Sequence, residues 1–317
     1  MTVALILLAY AASVGTLGAR MLTRAGWTAR APLLAIATYL AAAWSVVAAL
    51  GLAGLTLAVH ATALGGALSQ LIGACVLRLR ATYATPGGAT VAEAGLVLSG
   101  AVLVRTLLVA AGQLRAAGRQ AQRHAQTARL VGRPEPALDA VLVEHSRPTA
   151  YCVAGRQPTV ILTTGALLAL DSLQLEAVLA HERAHLTWRH HRLLAMARIS
   201  RRALPFLPLM RDTEAQVERL VELHADDLAT RARDPRPLAA ALVVLAASSG
   251  PAPVLAAGAT DAVQWIHRLL RPAEPLGGLR RQLLRAMAAG FVLLPVVLAL
   301  APAVLALALG RVPSSPV

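Results

Sequence analysis

Four long apolar runs, separated by polar stretches, set the pattern of this chain. Residues 1–19 form the first, with no basic residue before it and Arg20, Arg24 and Arg30 behind it. Leu33 to Val59 is the second, long enough to cross a bilayer with some tilt. Val91 to Gly112 is the third, carrying Glu93 near one end and Arg105 toward the other, and Met287 to Leu309 is the last. A hydrocarbon layer about 30 Å thick needs roughly 20 apolar helical residues to cross it, so each run is predicted to be a spanning helix. Ala61 to Leu77 is apolar but short, with Gly65, Gly66, Ser69 and Gln70, and the Thr85-Pro-Gly-Gly88 turn follows it.

Between the third and fourth runs the pattern changes. Arg115 to Arg133 is basic and helically spaced, as expected of a juxtamembrane helix on anionic headgroups. Ala137 to Val143, Thr149 to Val153 and Thr159 to Thr163 read as short strands, with Gly155-Arg-Gln-Pro158 turning between the last two. Such a sheet offers an edge on which an extended substrate can pair. Asp171 is a candidate N-cap with Gln174 three residues on, opening an amphipathic helix that is predicted to run to about Ser200. Leu204-Pro-Phe-Leu-Pro-Leu209 breaks it, as an apolar stretch that dips toward the membrane interface, and a helix with Glu218 to Asp226 follows. Leu238 to Ala247 is too short to span and reads as a core helix. The Gly250-Pro-Ala-Pro253 linker leads to a docking helix at Trp265 to Leu270.

Composition and charge fix the setting. A hydrophobic content of 57% and mean hydropathy of +0.61 are too apolar for an ordinary soluble domain. The net charge of +14 raises nucleic acid as a partner, but aromatics are only 3% and no binding motif occurs. All 30 basic residues are Arg, as GC-rich coding produces, and 23 of them stand against 15 acids between Arg115 and Arg285. The positive-inside rule places that region in the cytoplasm, with the N-terminus outside, provided Ala61 to Leu77 does not cross. A secretory signal would carry charge ahead of its apolar run, and this chain does not. Cys75 and Cys152 make neither a disulfide framework nor a C-x-x-C, and read as unpaired core or lipid-facing residues. Arg105 is expected to snorkel to the cytoplasmic surface or face a neighbouring helix.

The chemistry lies in Ala177 to His191, where His181, Glu182 and His185 spell H-E-x-x-H. Helical residues four apart share a face, so two imidazoles can grip one metal ion and the Glu can reach a water beside it. Nine His and nine Glu in the chain give a chance match about once in a hundred such sequences. A catalytic zinc needs a third protein ligand, and Glu222, four residues before Asp226 on the later helix, is assigned that role. Asp226 would then orient a ligand His through its other ring nitrogen. An isolated E-x-x-x-D is more often a solvated acidic face; behind an H-E-x-x-H helix the ligand reading prevails. His191 falls at the third-ligand spacing of metzincins, but Trp188 stands where that motif needs Gly. His190 and His191 are expected at the surface or near the membrane, His224 on the side of its helix opposite Glu222, and His267 at the surface.

Three spans, the AVLAHERAH helix, an ExxxD segment and a fourth span resemble the BlaR/MecR-type membrane metallopeptidases, which are gluzincins. The resemblance covers most of residues 1–310. It implies zinc on His181, His185 and Glu222, Glu182 as general base, a cytoplasmic BlaI/MecI-like repressor as substrate, and self-cleavage or a homo-oligomer. The best-known members carry a β-lactam-sensing domain after the fourth span; this chain stops there, so sensing by that route is not expected. An HtpX-like or CAAX-type membrane endopeptidase is the alternative within the enzyme class. A non-catalytic receptor or scaffold with structural zinc is the alternative outside it, although such a site has no use for Glu182. Intramembrane site-2-type cleavage fits poorly, because Arg183, Arg189, His190, His191 and Arg192 crowd the zinc helix. The expected architecture is a mainly α membrane protein with four transmembrane helices. Residues 1–112 form a three-span region, 113–286 a cytoplasmic α+β zinc peptidase domain, and 287–317 the fourth span and tail.

Overall fold

The computed structural model describes residues 2–58, 88–155, 157–248, 259–271 and 274–308. Ala61 to Leu77, Cys75 and the Gly250 to Pro253 linker lie outside the described residues. Helix α1 (Thr2–Thr23) passes through a π-helical turn at Val14–Gly18. Helices α2 (Pro32–Ala58), α3 (Gly88–Val131) and, at the other end of the chain, α10 (Gly278–Ala308) complete the set long and apolar enough to cross a membrane. Their burial differs in kind. The apolar window of α2 is 56% buried and that of α10 only 6%, so α2 is the hub of the helical layer while α10 presents its side chains outward.

Helix α3 is longer than its sequence pattern predicts. Its 44 residues run unbroken through Gly112 into the Arg-rich segment, a length of about 66 Å, twice the hydrocarbon layer. The apolar and basic stretches are thus one rod. Where α3 crosses α2 the chain has no room for larger residues. A side chain at Gly54 would strike Ser99, one at Gly95 would strike Leu57, and the Ser99 hydroxyl donates to the Gly51 carbonyl at 2.7 Å. Small residues of this kind let two apolar helices approach closely.

A four-stranded sheet follows, β1 (Gly132–Glu135), β2 (Ala140–Val143), β3 (Ala150–Val153) and β4 (Thr159–Thr163), in the order β1-β2-β4-β3. Strands β2 and β4 are parallel and the outer pairs antiparallel. Strand β1 replaces the expected end of the basic helix: a side chain at Gly132 would collide with the Ala128 carbonyl and Val141, so only Gly permits this join. Ala137 and Leu138, expected as the start of a strand, lie instead in a 3-10 turn, Pro136–Leu138. Strands β1 and β3 are the edges.

Behind the sheet come α4 (Thr164–Ala169), α5 (Ser172–Thr187), α6 (His190–Ala203), α7 (Pro208–Ala229), α8 (Arg236–Ser248) and α9 (Ala259–Leu270). Two cores result. Ala177 and Val178 of α5 pack with Leu238 and Ala241 of α8, and with Leu142 and Leu162 of the sheet. Leu209, Met210, Val217 and Leu220 of α7 join Ile36, Tyr39 and Val46 of α2 in the larger one. The Leu204 to Leu209 stretch contributes to that core rather than standing apart. Leu204 and Leu209 are buried, Leu207 rests against Gly15, and Pro205 and Phe206 are exposed.

Candidate metal centre

The local geometry begins at the N-terminus of α5. Gln174 donates its backbone N–H to the Asp171 carboxylate at 2.9 Å, and its side-chain oxygen accepts from the Asp171 N–H at 3.2 Å. Such a reciprocal cap contributes about 1 kcal/mol and fixes where the helix starts. Arg183 donates to the Leu138 carbonyl at 2.6 Å, tying the middle of α5 to the sheet. One face of α5 is thereby set in position against α7.

On that face the Nε2 atoms of His181 and His185 lie 3.2 Å apart. Glu222 Oε2, from α7, stands 3.5 Å from each of them. Three donor atoms therefore form a nearly equilateral triangle. One face of a tetrahedron with bonds of about 2.1 Å has edges of about 3.4 Å, so the triangle has the dimensions a zinc ion requires. Two neutral nitrogens and a carboxylate oxygen also suit zinc chemically. His181 and His185 are shielded by the fold, while Glu222 is half-exposed and faces the open side.

Each histidine has its own support. Asp226 Oδ1 lies 3.0 Å from His181 Nδ1, and the Asp226 carboxylate is completely buried. Its other oxygen accepts from the Trp265 indole N–H at 2.6 Å. Burial disfavours a charge on His181, but Asp226 and Glu222 outweigh it and carry its pKa up to about 10. Burial acts upward on Glu222 as well, yet the two imidazoles pull it far below the usual carboxylate range.

The other histidines stand differently from the sequence expectation. Helix α5 does not continue to Ser200. It stops at Thr187, and Arg189 takes a left-handed conformation (φ 51°) before α6 begins at His190. No Gly marks this break; the left-handed residue costs about 1–2 kcal/mol. The turn carries His190 back against the centre. It is 1% exposed, so its expected place at the surface is corrected. His190 Nδ1 lies 2.9 Å from His185 Nδ1, and His190 Nε2 lies 2.9 Å from His224 Nδ1. Helix α7 runs past both α5 and the start of α6, so His224 is buried against His190 while Glu222 reaches His181 and His185. Burial first, then the neighbouring rings, pushes His190 down to about 3, and His224 is lowered by burial and by His185. His191 and His267 are exposed, as expected.

Glu182 lies near Cys152 of edge strand β3, close enough for each to act on the other's titration. Burial raises the Glu182 pKa against the pull of His181 and His185. The thiol is pushed up to about 12 by burial and by Glu182. The sequence places Cys152 only as a core or lipid-facing residue; its position beside Glu182 depends on β3 packing across α5.

Residues 113–217 match the sequence profile of peptidase family M48. The match spans about a third of the chain, from within α3 to the middle of α7. It takes in His181, Glu182 and His185 and ends before Glu222 and Asp226, which the fold then brings to the same place. No curated protein matches the chain, and no solved structure does. The M48 match supports a metallopeptidase of membrane type, a family of zinc proteases, with a protein as substrate. It gives no support to the BlaR/MecR branch in particular.

Proposed function

We propose that this protein is an integral membrane zinc endopeptidase. The observation that carries the reading is the triangle of His181, His185 and Glu222, set beside a half-buried Glu182 and backed by Asp226. Zinc held there would polarise a scissile carbonyl and acidify a water at neutral pH. Glu182 accepts a proton from the attacking water and returns it to the leaving amine. Asp226 holds the Nδ1 proton of His181, which keeps the Nε2 lone pair turned to the centre. Edge strand β3, passing beside Glu182, offers main-chain pairing to an extended peptide.

A scaffold with structural zinc has no need of Glu182, and this separates the two classes. Glu182→Gln in the detergent-solubilised full chain is expected to retain zinc. It is expected to lose at least about a hundredfold in cleavage of a quenched peptide library, the order that a positioned acid–base group contributes. Equal cleavage by the two proteins would defeat the reading.

The substrate follows from how much each alternative requires. An HtpX-like or CAAX-type processing role needs only the peptidase class that the M48 match supports. A BlaI/MecI-like repressor as substrate needs the BlaR/MecR branch; three membrane-length helices before the centre and one after it are in keeping with that. We place the centre on the cytoplasmic side, on the 23 Arg against 15 acids between Arg115 and Arg285. Alkaline phosphatase fused after Val317 is then expected to be active, and an inactive fusion would reverse the orientation.

A further inference from the structure

Histidine is a single-donor, single-acceptor ring when neutral, and this constrains three rings in contact. If His185 gives the lone pair of Nε2 to a metal, its proton sits on Nδ1 and needs an acceptor. Metal-binding histidines ordinarily find a carboxylate, a backbone carbonyl or water for this purpose; His181 has Asp226. Nδ1 of His185 has instead Nδ1 of His190, at 2.9 Å. That contact holds only if His190 keeps its own proton on Nε2, where it faces His224 Nδ1, also at 2.9 Å. His224 must then carry its proton on Nε2. Each of the two contacts then pairs one N–H with one lone pair, and only this set of tautomers satisfies both while leaving His185 Nε2 free.

Packing holds the rings in that order. His190 is 1% exposed and stands edge-on to His185, with ring centroids 4.7 Å apart and planes at 90°. Trp188, in the turn between α5 and α6, stands edge-on to His224 at 4.9 Å. The left-handed Arg189 is what brings the start of α6 to this place, so the strained turn and the ring chain are one construction.

We propose that His190 and His224 are positioning residues for the metal centre, a neutral imidazole chain that fixes the tautomer and orientation of His185. The chain does for His185 what the Asp226 carboxylate does for His181, without adding charge. The inference rests on the reading of His181, His185 and Glu222 as metal ligands.

The test compares shapes that differ only in hydrogen bonding. His190→Asn keeps an acceptor near the former Nδ1, whereas His190→Leu has similar volume and none. Zinc affinity of the detergent-solubilised full chain, measured by chelator competition, is expected to fall 10–100-fold in His190→Leu and to stay within about threefold in His190→Asn. The visible spectrum of the Co²⁺-loaded protein should change in His190→Leu and remain close to wild type in His190→Asn. His224→Leu should weaken zinc in the wild-type background and add nothing in the His190→Leu background, because the chain is already cut. Equal zinc affinity in His190→Leu and His190→Asn would overturn the proposal, and so would full additivity with His224→Leu. Absence of zinc from the wild type would instead remove the reading of the centre itself, a distinct result. If His190→Leu does not fold, His224→Leu with the Co²⁺ spectrum decides alone, an unchanged spectrum being the negative result.

Discussion

The long apolar helices and the candidate metal centre bury opposite things. Along α10, Val292, Leu293, Val297 and Leu300 are all more than half exposed, and α3 shows Val97, Leu103 and Leu108 in the same way. At the centre, His181, His190, His224 and Asp226 are buried. In the first region each apolar side chain is interchangeable with the next, because a bilayer asks only for length and hydropathy. In the second, the buried rings and the carboxylate stand within about 3 Å of one another in a fixed order, and an unpaired buried group costs about 1–3 kcal/mol. Tolerance to substitution should therefore differ sharply between them.

The centre should show the largest effect, and Asp226 is where to seek it. Asp226→Asn preserves shape but not acceptor count. If its oxygen faces His181 Nδ1–H, its NH₂ meets the Trp265 N–H that now donates to Asp226 at 2.6 Å. If the amide turns, its NH₂ meets His181 Nδ1 and drives that ring's proton onto Nε2, the atom turned to the metal. Either orientation leaves one clash, so zinc affinity is expected to fall about 10–100-fold. Trp265→Phe removes the competing donor and should recover part of that loss in the double variant. Equilibrium dialysis against zinc on the four proteins measures this. Simple addition of the two single effects would show that Trp265 does not act through Asp226.

How far the sequence foresaw this differs between the same two regions. Runs of apolar residues announce a lipid-facing helix directly, since hydropathy is the property being used. The H-E-x-x-H spacing is also legible, because His181 and His185 share a face by helical period alone. Glu222 and Asp226 could be named from their own i, i+4 spacing, though their approach to α5 depends on the α2–α7 core. His190 and His224 were not legible. Their meeting requires α5 to end at Thr187 through a left-handed Arg189, and Thr-Trp-Arg carries none of the Gly or Asn that marks such a turn. The continuity of α3 through Gly112 escaped for a related reason: Gly weakens a helix by about 1 kcal/mol, which a rod of 44 residues absorbs. Strand β1 depended on the bare Cα of Gly132, a steric fact invisible to periodicity.

A smaller effect is expected where the two regions meet. Arg105, inside the third apolar helix, donates from Nε to the Ala203 carbonyl at 2.7 Å and from Nη2 to the Arg202 carbonyl at 3.0 Å. Those carbonyls end α6, the negative pole of a helix whose first residue is His190. Arg105→Met keeps the apolar length and leaves two helix-end acceptors without their donor. Stability should fall by about 1–3 kcal/mol, read as a lower thermal midpoint in detergent. The side chain lies at the far end of a 14-residue helix from His190, so zinc affinity should stay within about twofold. A matching loss of zinc affinity would show that α6 transmits strain from the apolar helix to the ring chain. The lipid-facing region and the centre would then behave as one energetic unit, and the contrast drawn between them would fail at its boundary.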